Sequence, residues 1–447
     1  MRNYIPITFS FLLILFLISC STTTQLTKKD FANKDFNTTS SQKYSSQNHV
    51  DNYSSEKKDR TAQYQKNSDY DQKNSDYQIQ KERTLQQEWS SNNCEGTGNK
   101  TLISPIPLEE LELITPLGVM IGGHVTPIDH QYWSPKNTDE QGNRKTPVDV
   151  LAPASGYIVS IQHMMEYIGD KQHNTPNIDD YRLILEHSCT FYTYFIHVKT
   201  ISQKILMEFE SNRHGQLYAQ TRIPIVQGEV LGTIFRSVDF AVIDTTKKLK
   251  FIIPEHYVRE PWKINTVDPF DYFLEPLRTQ LLSKNPRTAI PRGGKIDFDL
   301  DGTLIGNWFL EETNGYAGTT QNEYWRGHLA FAYDPFDSTA IIISIGDYEG
   351  IAKQFAVKNN SPDPATITIK NGIIHYELVQ ADYVTRGNRW DARNFASNIH
   401  LSTENRQTQA ILLAQILTNR TIRVEIFPHA QNNNSIHFTS HSKVYER

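Results

Sequence analysis

Long hydrophobic runs, clustered positive charge and cysteine are all scarce in this sequence, and each shortage narrows what the chain can do. The nearly continuous apolar stretch at residues 9–18 is too short for a membrane-spanning helix with two polar flanks. With 45 Lys and Arg against 50 Asp and Glu and no basic patch, nucleic acid is excluded as an expected partner. Of the three cysteines, Cys20 belongs to the N-terminal signal, so Cys94 and Cys189 either form one disulfide or remain free thiols.

The first 20 residues resemble a bacterial lipoprotein signal. Arg2 supplies a positive charge, the apolar stretch follows, and Leu17-Ile18-Ser19-Cys20 resembles the lipobox, whose cysteine is lipidated and becomes the mature N-terminus. Acyl chains on Cys20 would anchor the protein to a membrane of the cell envelope. By the same resemblance, Ser21 favours the outer membrane. An ordinary secretory signal peptide, cleaved elsewhere, is the alternative.

The rest of the chain is predicted to form a tether, two domains and a linker. Residues 21–100 are rich in Ser, Thr, Gln, Asn, Lys and Asp without apolar periodicity, which predicts a disordered tether. Residues 101–255 and 295–447 each show short strands separated by turns. The linker, residues 256–294, is predicted to contain one amphipathic helix that starts near Asp268. The predicted fold class is mainly β and antiparallel, with few helices.

One stretch of the first domain predicts two strands joined by a tight turn. In VDVLAPASGYIVSI, residues 148–161, apolar and polar residues alternate around a turn that contains Pro153 and Gly156. This stretch resembles a hairpin of the lysostaphin-type zinc endopeptidases, which cut peptidoglycan cross-bridges. Residues 226–234, VQGEVLGTI, resemble the family's second hairpin, and Tyr194-Phe195-Ile196-His197-Val198 lies where the family has Y-x-H-L. The resemblance implies an antiparallel β domain with a zinc site.

The family holds zinc with H-x-G-x-D and with the second histidine of a late H-x-H, and this sequence departs from both patterns. Asp149 stands in the place of the early acid, but Lys145 replaces the histidine four residues before it. The late motif reads Val238-Asp239-Phe240-Ala241, so the carboxylate of Asp239 would replace an imidazole as third ligand. His197 matches the family histidine that acts on the water or the oxyanion.

A cluster of metal-binding residue types lies earlier in the same domain. His124, Asp129 and His130 flank a proline turn, and Tyr132 and Trp133 follow directly. The spacing from His124 to Asp129 is one residue too long for the family motif. Two imidazoles, a carboxylate and two aromatic rings nevertheless suit contact with a metal or a sugar, so Tyr132 and Trp133 are candidate binding residues.

Two hypotheses follow for this domain. In one, zinc is bound by some of His124, Asp129, His130 and Asp239, and His197 is the catalytic base of an endopeptidase. In the other, the loss of both late histidines has removed zinc and catalysis, and the domain binds peptidoglycan or an envelope protein as a scaffold. The sequence favours the second hypothesis, because a ligand and a base of the family site are missing.

The C-terminal domain is predicted to be a β sandwich or a small barrel. Gly306-Asn307-Trp308 resembles the G-x-W of lipocalins, and a third hypothesis is a lipocalin-like carrier with an apolar pocket near Trp308. Residues 408–418 are predicted to form a helix. Asp299-Leu300-Asp301-Gly302-Thr303-Leu304 matches the nucleophile motif of haloacid-dehalogenase-like phosphatases. The strands that follow do not suit the parallel sheet of those enzymes, so we interpret it as a polar strand and turn.

Overall fold

The structure, a computed structural model, describes Cys94 and residues 100–164, 179–320, 323–430 and 436–447. The predicted lipoprotein signal and almost all of the predicted tether lie outside the described residues. Antiparallel strands dominate the part that is described, and its two α-helices are α1 (Gln203–Asn212) and α2 (Leu277–Leu282). Neither helix is long and apolar enough to cross a membrane. The predicted fold class, mainly β and antiparallel, is confirmed.

Ten strands form the first half of the described chain. They are β1 (Leu111–Thr115), β2 (Gln131–Pro135), β3 (Val148–Leu151), β4 (Gly156–His163), β5 (Tyr181–Ser188), β6 (Phe191–Val198), β7 (Thr200–Ile201), β8 (Tyr218–Ile225), β9 (Val230–Ile234) and β10 (Val238–Asp244). Seven of them make one large sheet in the order β1-β2-β10-β6-β5-β4-β8, and β3, β9 and β7 make a small one. A single hydrophobic core joins the two sheets, with Trp133, Phe195 and Phe240 among its fully buried side chains.

The two predicted hairpins pair with each other rather than each within itself. β3 and β4 lie in different sheets, and so do β8 and β9. β4 pairs with β8 and β3 pairs with β9, both antiparallel. At the turn into β4, a Cβ on Gly156 would lie 2.2 Å from the carbonyl oxygen of Glu186, so this close approach requires glycine. The two segments around Gly156 and Gly228 therefore form one structural unit.

Cys94 and Cys189 form a disulfide and are not free thiols, which was the other alternative that the sequence left open. Cys189 lies in the turn between β5 and β6, so the bond fastens the chain before residue 100 to the large sheet. A disulfide of this kind is typical of proteins that mature in an oxidising compartment.

The linker contains several short helices instead of the single predicted one. Three are 3-10 helices, Pro254–Tyr257, Pro261–Asn265 and Pro269–Tyr272, and α2 is the fourth. Asp268 caps the third one as expected, because its side chain accepts a hydrogen bond from the backbone of Phe270. The prediction of one continuous helix is wrong, since Pro276 disfavours helical geometry at the residue before it and forces a new start.

Eight strands of the C-terminal region close a barrel, which decides between the sandwich and the barrel. In barrel order they are β11 (Gly306–Leu310), β12 (His328–Tyr333), β13 (Ile341–Tyr348), β14 (Ile351–Val357), β15 (Ile374–Val379), β19 (Ala410–Thr418), β20 (Thr421–Pro428) and β21 (Lys443–Glu446). Between β15 and β19, a separate three-stranded sheet is formed by β16 (Asp382–Thr385), β17 (Asn388–Arg389) and β18 (His400–Ser402).

The helix predicted for residues 408–418 is wrong, because this segment is β19. An uninterrupted apolar run is compatible with a strand as well as with a helix. In the closed barrel, the backbone of this segment pairs with a neighbouring strand on each side. Ala414 pairs with Ile374 of β15 and with Val424 of β20. Tertiary pairing therefore decides a conformation that the local pattern leaves ambiguous.

The barrel interior is filled by packed side chains. Trp308 is fully buried among them, which gives the lipocalin-like hypothesis no support. The guanidinium of Arg447 lies 4.1 Å from the centre of the Trp308 ring and donates hydrogen bonds to backbone carbonyls of residues 300, 303 and 305. Asp299 accepts hydrogen bonds from the backbone of Ile252 and Asn307, at 3.1 and 2.9 Å. The phosphatase-like motif thus has a structural role, as a polar turn that joins the end of the first domain to the barrel.

A buried histidine at the start of β12 makes stability depend on pH. Nε2 of His328 donates a hydrogen bond to the carbonyl of Tyr316 at 3.1 Å, and burial lowers the pKa of His328 from 6.5 to about 3. Because the folded-state pKa lies below that of the unfolded chain, the neutral ring contributes stability above pH 6.5. That contribution is lost as the pH falls from 6.5 towards 3.

We therefore expect the free energy of unfolding to fall by about 3–5 kcal/mol over this range on account of His328 alone. The variant His328→Gln keeps a donor at the same place but cannot take up a proton, so its stability should depend less on pH. Urea unfolding at several pH values measures both slopes. Equal slopes in the variant and the parent would contradict this assignment.

Candidate active site

Three neighbouring strands of the large sheet bring the predicted site residues together. Tyr132 of β2 pairs with Asp239 of β10, and Asp239 pairs in turn with Ile196 of β6. His130 directly precedes β2, and His197 directly follows Ile196. As a result, Nε2 of His130 lies 3.2 Å from Oδ2 of Asp239, and Nε2 of His197 lies 3.7 Å from the same oxygen.

His197 is held in a strained backbone conformation near the end of β6. Its φ is +72°, in the left-handed region that residues with a side chain rarely adopt. The register between β5 and β6 shifts at this point, between the pairs formed by Tyr181 and Leu183. Such bulges and strained residues are concentrated at functional sites, where they redirect a side chain.

A carboxylate that the sequence analysis missed orients His197. Oδ2 of Asp180 lies 2.8 Å from Nδ1 of His197 and 3.4 Å from Nζ of Lys199. Burial alone would lower the pKa of His197, but the charges of Asp239 and Asp180 outweigh it and raise the pKa to about 9. The side chain of His197 is 22% exposed, against 6% for His130 and 4% for Asp239, so solvent reaches the cluster at His197.

His130 has one ring nitrogen held by neighbours and one without a hydrogen bond. Its Nδ1 lies 3.3 Å from the hydroxyl of Tyr194 and 3.5 Å from Oδ1 of Asp129. Its Nε2 is buried and, despite its closeness to Asp239, makes no hydrogen bond. Partners at one nitrogen fix the ring and leave the other nitrogen to bind a ligand, as in many metal sites.

Asp129, a predicted metal ligand, is already engaged on both oxygens. Nζ of Lys263 lies 3.0 Å from Oδ1, and Nε1 of Trp262 donates to Oδ2 at 2.9 Å. Burial would raise the pKa of Asp129, but the charge of Lys263 outweighs it and keeps the pKa well below 3.8. The structure therefore gives Asp129 a supporting role behind His130 instead of a ligand role.

His124 completes the group of imidazoles. Its ring centre lies 5.9 Å from that of His130, with the two rings nearly perpendicular. Burial, together with the nearby His130 and Lys263, lowers the pKa of His124 to about 3. The ring is therefore neutral at physiological pH, which is the form that binds metals.

The donor set of this cluster fits zinc. Ligand atoms around a tetrahedral zinc lie about 3.3–3.6 Å apart, close to the 3.2 Å between Nε2 of His130 and Oδ2 of Asp239. Nε2 of His130 and Oδ1 of Asp239 are buried without a hydrogen bond, and such atoms are usually satisfied by a water or an ion. Among the described residues, no group of three or more His, Cys, Asp or Glu side chains is placed so that it could hold a metal ion. The cluster therefore fits zinc in the types of its donor atoms and in the distance between His130 and Asp239, but not as a complete set of ligands.

Two other predicted positions lie away from the cluster. Trp133 is fully buried in the core, where its indole nitrogen donates to Gln131 and its ring contacts Phe240. Trp133 therefore offers no exposed surface to a ligand, and it faces the side of the strand opposite to Tyr132. Tyr132 does face the cluster, with its ring edge-on to His130 at 5.3 Å. Asp149, in the place of the family acid, is exposed on β3 in the small sheet.

Comparison of the sequence with protein-family models and with curated proteins gave no match. Any assignment of function therefore depends on the geometry of the cluster and on the motifs of the sequence.

Proposed function

We propose that this protein is a zinc-dependent hydrolase of peptide bonds in the bacterial cell envelope, built on a lysostaphin-type domain with an altered set of ligands. The observation that carries the proposal is the convergence of His130, Asp239 and His197 around buried donor atoms that lack hydrogen bonds. The pairing of the two hairpin segments supports the lysostaphin-type scaffold.

His124, His130 and Asp239 are the residues that would hold the metal. Zinc at such a site polarises a carbonyl and lowers the pKa of a bound water. The protein's part is to hold these donors in place. Tyr194 and Asp129 lie against Nδ1 of His130, so its Nε2 faces Asp239.

His197 is assigned as the general base. Nδ1–H of His197 donates a hydrogen bond to Asp180, which orients the ring. Because the charges of Asp239 and Asp180 outweigh burial and raise the pKa of His197 to about 9, a cation held by Asp239 would have to offset that charge before Nε2 could take a proton from an attacking water. Its partial exposure supports contact with a substrate that arrives from solvent. The strained backbone of His197 supports a role in chemistry, because the fold bears a conformational cost to present this side chain.

The envelope location and the substrate class come from the sequence. The lipobox at Cys20 supports a lipid anchor, and the disulfide of Cys94 with Cys189 suits an oxidising compartment. Peptidoglycan peptides are the substrate class that the lysostaphin-type resemblance implies.

Zinc content is the first test. We expect the purified protein to retain about one zinc per chain after dialysis, measured by mass spectrometry, and to hydrolyse peptidoglycan peptides. The variants His130→Ala and Asp239→Ala should lose the metal and the activity. Asp149→Ala is the matched control, because Asp149 lies in the family's acid position but is exposed on the small sheet. A parent protein that retains no more zinc than these two variants would refute the proposal and leave the scaffold hypothesis.

A further inference from the structure

A cavity of about 310 Å³ lies between the large sheet and the outer wall of the barrel. Its sheet side includes Met120, Ile121 and Tyr132, and its barrel side includes Ile342 and Ala356. Its volume is within the range of pockets that bind small ligands.

The cavity and the candidate active site share Tyr132, which lines the cavity and lies edge-on to His130 at 5.3 Å. Ile121 lies three residues before His124, Tyr132 two residues after His130, and Ser237 two residues before Asp239. Each segment that carries a proposed zinc ligand therefore also contributes to the cavity wall. An occupant of the cavity would therefore contact the segments that position these ligands.

The barrel holds the cavity in a defined shape. Gln354 of β14 accepts a hydrogen bond from the backbone N–H of Gly122 at 3.0 Å and donates one to its carbonyl at 3.1 Å. Met120 packs against Ile342 and Ala356 of the barrel. The turn that leads to His124 is thus fixed against the barrel, and the pocket is formed before any ligand arrives.

The chemistry of the walls selects an uncharged, apolar occupant. Most lining side chains are apolar, and the charged ones have partners within the protein. Asp334 accepts hydrogen bonds from the backbone of Phe336 and Asp337, while Arg236 donates to Asn143 and Arg393 to a backbone carbonyl. A charged group would therefore enter without a free counter-charge, which is costly in an apolar site.

We propose that this cavity is a specificity pocket that accepts an uncharged hydrophobic side chain, such as that of leucine, next to the bond that is cleaved. The inference rests on the proposed peptide hydrolysis, and it adds a preference that the lysostaphin-type resemblance does not supply.

Two matched peptides test it, one with leucine and one with serine beside the scissile bond. We expect kcat/KM to be about 10–100-fold higher for the leucine peptide. Ala356→Phe, which fills the cavity, should bring this ratio close to one. Ala381→Phe tests the same point from a half-buried position of the wall, in case the first variant folds poorly. Ala352→Phe is the control, because Ala352 lies on the same strand outside the cavity and should keep the parent's ratio.

Binding of both peptides to the zinc-free protein, measured by calorimetry, separates this inference from the proposed function. Tighter binding of the leucine peptide that is lost in Ala356→Phe supports the pocket, even if neither peptide is hydrolysed. Hydrolysis or binding of both peptides with equal efficiency by the parent protein would overturn the pocket. So would an unchanged preference in both cavity-filling variants.

Discussion

Replacing His197 with glutamine is expected to lower kcat on peptidoglycan peptides by about 100- to 10,000-fold while zinc stays bound. Glutamine fills a similar space but cannot take a proton from water at neutral pH. His124, His130 and Asp239 remain in place in this variant. The measurements are turnover of a defined peptide and zinc content of the same preparation.

The variant Asp180→Asn tests the pair of His197 and Asp180 by changing the carboxylate instead of the imidazole. Without the carboxylate that lies 2.8 Å from Nδ1, the ring of His197 loses its orientation, so kcat should fall while zinc is retained. His163→Gln is the matched control, since His163 also pairs with an aspartate, Asp179 at 2.9 Å, and is only partly exposed. An unchanged kcat in His197→Gln would refute the assignment as base, and loss of zinc would reassign His197 as a ligand.

The sequence predicts which residue types form the cluster better than it predicts their roles. His124, His130, Asp239 and His197 could be named because motifs and unusual groupings mark them. Their convergence depends on β2, β10 and β6 being neighbours in the sheet, which no local pattern specifies. Trp133 lies in the core because residues 132 and 133 of a strand face opposite sides, and alternation alone does not show which side holds the cluster.

Supporting residues escaped prediction for a different reason. Asp180 becomes a partner of His197 only through the shifted register at the end of β6. Lys263 comes from the linker, more than 130 residues after Asp129, and nothing in a sequence of short linker helices marks it. The fold class followed from strand periodicity, whereas the segment 408–418 was misassigned because an uninterrupted apolar run fits both helix and barrel strand.

Lys263→Met is expected to destabilise the protein by about 3–5 kcal/mol, because it leaves the carboxylate of Asp129 buried without its counter-charge. Lys263 is buried, with 2% of its side chain exposed, and its Nζ lies 3.0 Å from Asp129 and 3.3 Å from Glu260. Burial would lower the pKa of Lys263, but the charges of Asp129 and Glu260 outweigh it and raise the pKa above 10.5, so the amine is charged. Urea unfolding measures the loss.

The double variant Asp129→Asn with Lys263→Met should recover much of that stability, because it removes both charges together. Lys204→Met is the control: Lys204 and Glu229 also form an ion pair, at 2.8 Å, but at the surface, where the expected loss is below about 1 kcal/mol. A loss in Lys263→Met no larger than in this control would show that Asp129 does not depend on Lys263. Asp129 would then be available to zinc, and it would return to the set of ligands that the sequence suggested.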